Sequence, residues 1–229
     1  MTRDKLIEIA SDAVNDAELE GRDIPNIDLY VDQILNLVAD KQAQGSERHM
    51  SRQLTKTMIN NYSKDGIIMP IKGKKYSREQ VIQILYIYSL KNTLSMSEIK
   101  RLLHGAYDIE GFNAEALSSL YDTYQDVKRG TREKTLDILS EDILKGLSLD
   151  PENDADYISA VCALVSLSAH LKCVAQAMID ERFPEPLTED EEKEKAKEEK
   201  KEEKEKSKEE KKEEKAKKKE KKKDTVGEE

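Results

Sequence analysis

Residues 67–76, about a third of the way along the chain, cannot be helical. Pro70 has no N–H to give a helix ladder, and Gly73 loses more freedom on ordering than any other residue. The segments on both sides have the opposite character. Residues 55–65 set Met58, Ile59 and Tyr62 on one side of a helix, with Gly66 placed as its C-terminal stop. Beyond the break, Ser77 and Gln80 form a capping box. It opens a helix over 78–92 striped by Val81, Ile84, Leu85 and Tyr88. Two helices joined by a short basic hairpin predict a mainly α fold carrying one small β-hairpin.

The rest of the pattern is helical. An amphipathic helix over 2–19 carries Leu6, Ile9, Ala10 and Ala13, and Ile24-Pro25-Asn26 breaks it. Asp28 serves as N-cap to a second helix with Val31, Ile34, Leu35 and Val38 at helical spacing, ended near Gly45. Ser95 and Glu98 cap a helix bearing Ile99, Leu102 and Leu103, closed by Gly105. Three more helices are predicted, over 113–128, 132–145 and 156–182. The last is apolar around much of its girth over its first half, as befits a core helix or a subunit interface. The order of elements across 28–104 is that of a winged helix-turn-helix. The predicted organisation is therefore an N-terminal helix (1–27), that module (28–104), a C-terminal helical region for dimerisation or effector binding (105–187), and a tail (188–229).

Charge sharpens this division. The tail holds 17 Lys and 18 Asp or Glu with no aromatic residue, a composition that reads as disordered or as a single solvated helix. Its run 215–223, with seven lysines, either only solubilises or slides on phosphates. Residues 48–104 contain 11 Lys or Arg against 3 Asp or Glu, while the chain as a whole is net −9. A basic island on an acidic chain points to a phosphate-facing surface. The N-terminus lacks an apolar signal core, and the longest uncharged apolar run, 157–169, is short of the ~20 residues of a membrane helix. A cytoplasmic protein with no membrane partner is expected. Two cysteines imply no disulfide framework. Cys162 and Cys173 share a helix with His170, but about 16 Å of helical rise separates them, so one metal cannot take both from one chain. Buried thiols are the expectation.

The stretch from Leu54 to Pro70 resembles the recognition helix and first wing strand of MerR-type regulators: a helix ending in an aromatic residue (Tyr62), then Gly66, two aliphatic residues (Ile67, Ile68) and Pro70. The wing closes with Lys74-Lys75-Tyr76-Ser77, similar to that family's basic-basic-Tyr-Ser ending. Leu94 to Leu103 is similar to its final short helix. Where the family usually has Arg-Tyr-Tyr, this chain has Asn60-Asn61-Tyr62. The whole chain also resembles an uncharacterised bacterial family that precedes such a module with Ile24-Pro25-Asn26-Ile27-Asp28-Leu29-Tyr30. The resemblance implies a DNA-binding transcription regulator.

The residues themselves allow the same reading. Thr57, Asn60 and Asn61 suit base edges, and Asn pairs in bidentate fashion with adenine. Lys56, Lys64, Lys72, Lys74 and Lys75 suit phosphates, with Arg48 and Arg52 extending the basic strip. Tyr76 either bonds a phosphate or packs the wing. The plainer alternatives stay open: a solubilising lysine face, Asn60 and Asn61 as helix-end caps, Tyr62 as core. The expected partners are duplex DNA and a second copy of the chain, because one module spans too few base pairs for specificity. No catalytic set, cofactor or metal site is nominated, and no pattern specifies an effector. A protein-interaction adaptor built on the same scaffold, or a nucleoid-type binder driven by the tail, are the competing classes.

Overall fold

The computed structural model describes residues 1–47 and 53–186. Among them are seven helices and a two-stranded antiparallel sheet, a mainly α fold with a small β pair. In order they are α1 (Arg3–Ala13), β1 (Leu29–Tyr30), α2 (Val31–Gln42), α3 (Lys56–Lys64), β2 (Lys75–Tyr76), α4 (Arg78–Leu90), α5 (Met96–Tyr107), α6 (Ala114–Asp137) and α7 (Asp154–Arg182). A π-helical stretch, Ile138–Lys145, continues α6 without a break.

α4 is the axis of the fold. Every residue from Gln80 to Tyr88 is buried, not only the predicted stripe. Burying one large aliphatic side chain stabilises by about 1.5–3 kcal/mol, so this helix concentrates much of the driving force. Around it one cluster gathers Leu19, Ile34 of α2, Ile59 of α3, Ile99 of α5, Tyr121 of α6 and Ile179 of α7. Tyr86 meets Tyr121 edge to face at 5.2 Å, a favoured aromatic geometry. A second cluster joins Leu6 of α1 to Leu139, Ile143 and Leu144 of the π stretch and Ala160 of α7. Residues Met1–Pro184 form a single unit.

The serine caps form as the sequence predicts. Ser77 N–H donates to Gln80 Oε1 (2.8 Å), and Ser95 N–H to Glu98 Oε2 (2.6 Å). Several boundaries differ. α1 stops at Ala13 rather than near 19, because the chain beyond it is drawn onto α6. Asp16 and Glu18 pair with Lys128, Asp16 also pairs with Arg132, and Tyr121 Oη donates to Leu19 O at 2.7 Å. α2 begins at Val31 and not at Asp28: Tyr30 N–H bonds Gln33 Oε1 at 2.8 Å, and Leu29–Tyr30 is strand. The helices predicted over 113–128 and 132–145 are one continuous rod. Gly130 does not break it, since the Lys128, Arg129 and Arg132 pairs with Asp16, Glu18 and Glu20 hold the helix on both sides of the glycine. The cost of a helical Gly, about 1 kcal/mol, is small beside that.

Gly105 does not close α5, which runs on to Tyr107. Its missing side chain makes room for the Phe183 ring, which lies where a Cβ would be. Arg101 adds a bond to Phe183 O (2.9 Å) and an ion pair to Asp180 (2.7 Å), so the end of α7 is fastened to α5. Gln176 Nε2 donates to Glu98 Oε1 at 2.6 Å beside them.

Two predictions follow from this seam. Gly105→Ala displaces Phe183 and lowers stability by roughly 1–3 kcal/mol. In that background Phe183→Ala costs less than it does in the parent, a coupling that a thermal double-mutant cycle reads directly. The second concerns acid. The Ser95 N–H bond holds the Glu98 carboxyl below its ordinary value of 4.5, helped by Gln176 and Lys172 and opposed by burial. A depressed carboxylate contributes stability that is complete above that ordinary value and fades as pH falls through the lowered one. Glu98→Gln should therefore lower Tm most near neutrality and least in acid, flattening the acid limb of Tm against pH.

Candidate nucleic-acid interface

α3 begins at Thr55, whose Oγ1 accepts from Met58 N at 3.2 Å. Ile59 (0% exposed) and Tyr62 (4%) fix its inner face in the core. The opposite face presents Thr57, Asn60, Asn61 and Lys64, spaced i, i+3, i+4, i+7 and all exposed, with exposed Lys56 at the rim. The two asparagines stand within the helix, ahead of its C-cap at Asp65. No ion pair joins Lys56, Lys64, Lys72, Lys74 or Lys75 to a carboxylate among the described residues.

The C-terminus of α3 is closed by a Schellman motif. Gly66 takes φ +63°, its N–H bonds Ser63 O (3.1 Å), and Ile67 N–H bonds Tyr62 O (2.9 Å). A side chain at Gly66 would be strained in that backbone conformation. α5 supplies two further donors here: Lys100 Nζ to Asp65 O and His104 Nε2 to Gly66 O, each 2.9 Å. Cationic and N–H groups at a helix C-terminus satisfy the last carbonyls and oppose the dipole. The orientation of α3 is thus held from two sides.

The loop after α3 is not a self-paired hairpin. Its only strand is β2, and that strand pairs with β1, Leu29 opposite Tyr76 and Tyr30 opposite Lys75. The antiparallel pair is real, but its first strand comes from the segment entering α2, 45 residues upstream of β2. Pro70 and Gly73 (φ +80°) leave the intervening loop without a ladder of its own. Two glutamines of α4 replace that ladder. Gln83, fully buried, accepts from Met69 N–H at 2.9 Å and donates to the Tyr107 hydroxyl. Gln80 Nε2 donates to Met69 O (3.2 Å) and Pro70 O (2.9 Å).

On this frame Lys72, Lys74 and Lys75 are exposed, and Lys75 Nζ sits over the Tyr30 ring at 5.1 Å. Tyr76 is 6% exposed and belongs to the main cluster. Its ring thus packs the wing, one of the two readings the sequence allows. Tyr62 is core as well, with its hydroxyl pushed up to about 12 by burial, Tyr88 adding to the shift. Arg48 and Arg52 lie outside the described residues. Gln80, Gln83, Lys100 and His104 escaped the sequence reading as positioning residues. The signal for the glutamines was present: two amides at i, i+3 inside an otherwise apolar run.

The expected thiol burial is also corrected: Cys162 and Cys173 are both exposed on α7. Among the described residues no group of three His, Cys, Asp or Glu is placed to hold a metal ion.

Gln83→Leu removes the partners of Met69 N–H and the Tyr107 hydroxyl together. Leaving such groups unpaired costs about 1–3 kcal/mol, and for a body of this size Tm should fall on the order of 5 °C. Limited proteolysis should show new cleavage confined to the loop between Gly66 and Lys74.

Comparison with known proteins gives one match. No curated protein and no solved structure matches the chain. Residues 19–124, which contain α3, the lysine-bearing loop and the glutamines that hold it, match the family described as a domain of unknown function (DUF1836).

Proposed function

We propose that this protein is a sequence-specific regulator that reads duplex DNA through α3 and the loop following it, acting in the cytoplasm as a dimer. One observation carries the reading. Thr57, Asn60, Asn61 and Lys64 share the exposed face of a short helix whose other face and both ends are fixed, and Lys72, Lys74 and Lys75 stand exposed on the adjoining loop. Short polar side chains on a rigid, protruding helix suit base edges in a major groove, and flanking lysines suit phosphates. The acid of the rest of the body supports this arrangement. Asp16, Glu18 and Glu20 are engaged with Lys128, Arg129 and Arg132 on α6.

The test is a selection of random duplexes on the purified protein at roughly physiological salt, where sequence-blind phosphate binding is suppressed. An enriched inverted repeat is expected. Asn60→Ala/Asn61→Ala should weaken the selected site by about tenfold or more while leaving random DNA unaffected. Lys74→Ala/Lys75→Ala should weaken both, and lower the salt slope by about two, one per phosphate contact. Removing residues 188–229 should leave specific binding in place. Enrichment of no sequence, with binding abolished by that truncation, would replace this reading with a nucleoid-type one.

A further inference from the structure

α7 presents a long apolar surface that its own fold leaves uncovered. It is 29 residues long and, by length and composition, apolar enough to cross a membrane, yet almost none of its apolar window is buried. It is held at two places by different faces. In its first half Ala160, Ala163 and Leu164 pack on the cluster of Leu6, Leu139, Ile143 and Leu144. In its second half Ile179 enters the main core, and Gln176 and Asp180 bond α5. At about 100° per residue these faces are roughly a third of a turn apart. The side of the first half opposite Ala160 is left uncovered. It carries Ile158 (62% exposed), Val161 (45%), Cys162, Val165 (64%), Ala169 and Cys173 in one stripe.

We infer that this stripe is a self-association surface, on which the same stripe of a second copy lies antiparallel. Three observations select that occupant. The exposed apolar side chains amount to on the order of 500 Å², and the flanking Asp154, Ser166 and Lys172 bring the strip towards the ~800 Å² per partner of a standard interface. Apolar patches of more than a few hundred Å² are uncommon on soluble monomers. The residues are short, Cys162, Val165 and Ala169 above all, so two helix axes can approach closely. Charge fixes the direction. Asp154 and Lys172, both exposed, fall on the same edge of the stripe at its two ends. A parallel pair would set like ends together, Asp154 level with Asp154 and Lys172 level with Lys172, with no complementary partner for either. An antiparallel pair sets each Lys172 against the other copy's Asp154 and opposes the helix dipoles. A two-fold axis then passes near residue 163. The two copies of Cys162 flank it, a few Å apart along the seam, while the two Cys173 are separated by roughly 30 Å of rise.

A second patch, Leu171, Val174 and Met178, lies on the Ala160 side further along the helix. A two-helix seam on the first stripe does not reach it, which provides a control.

The experiment uses the full chain in sedimentation equilibrium. A dimer is expected. Val165→Glu should raise its dissociation constant at least tenfold with far-UV CD unchanged, because Val165 is exposed in the protomer. Met178→Glu should leave it unchanged. Mild oxidation with copper phenanthroline should give a disulfide-linked dimer that Cys173→Ser retains and Cys162→Ser loses. A strict monomer at ~100 μM, a dimer indifferent to Val165→Glu, or crosslinking through Cys173 overturns the inference. So does Val165-dependent flotation with phosphatidylcholine–phosphatidylglycerol vesicles, which would make the stripe a lipid surface. The inference does not depend on DNA recognition. A dimer indifferent to Val165→Glu overturns this inference alone and a failed duplex selection overturns the DNA reading alone, whereas a strict monomer also removes the dimer proposed above.

Discussion

Nine consecutive buried residues in α4 set the terms for everything around them. A helix with no solvent face has to be enclosed, and five other helices contribute to enclosing this one. That requirement explains why the helices before and after the lysine-bearing loop are not separable modules: Tyr121 of α6 and Ile179 of α7 complete the same core as Ile59 of α3. It also explains the two glutamines. In so apolar a setting a lone amide is costly, and Gln80 and Gln83 are tolerated because the loop backbone supplies their partners. The loop in turn needs them, having no strand neighbour within itself.

Much of this was legible in the sequence where a local rule and the global packing agree. Ser77 with Gln80 and Ser95 with Glu98 are decided within four residues. So is the stop at Gly66, where a positive φ and two backbone bonds close α3. The outward face of α3 followed from periodicity, once Met58, Ile59 and Tyr62 were assigned inward. The failures share a cause. A gap was placed between 128 and 132 and a stop at Gly105, but both depend on residues far away: acidic groups at 16–20 for one, Phe183 for the other. The end of α1 was overrun because the pull of α6 on Asp16 and Leu19 has no local trace. The partner of β2 was invisible for the same reason. Of the candidate contacts, the lysines and asparagines kept their exposure, while Tyr76 went to the core because strand alternation places it opposite buried Leu29. The cysteines were expected inside because the helix carrying them is apolar, and that helix turned out to lie largely on the surface.

The charge asymmetry of the chain has a counterpart in space. Acidic residues near the N-terminus are drawn into pairs with the basic residues of α6, some of them less than a quarter exposed. Pairs in partial shelter are screened less than exposed ones and cost more to break singly. The lysines of α3 and of the loop carry no such intramolecular engagement among the described residues.

The pairing of β1 with β2 has a consequence for how the chain reaches this state. Two residues against two is too little to hold a sheet by itself. Yet joining Tyr30 to Lys75 closes a loop of about 45 residues, at an entropic cost on the order of 3 kcal/mol. The pair is therefore held less by its own ladder than by α2 and α4, which bring their leading ends together. α3 lies inside that loop but takes its direction from outside it, from the core that holds Ile59 and Tyr62 and from Lys100 and His104 of α5, so the 30–75 segment excised as a peptide would lose the aim of the helix it encloses.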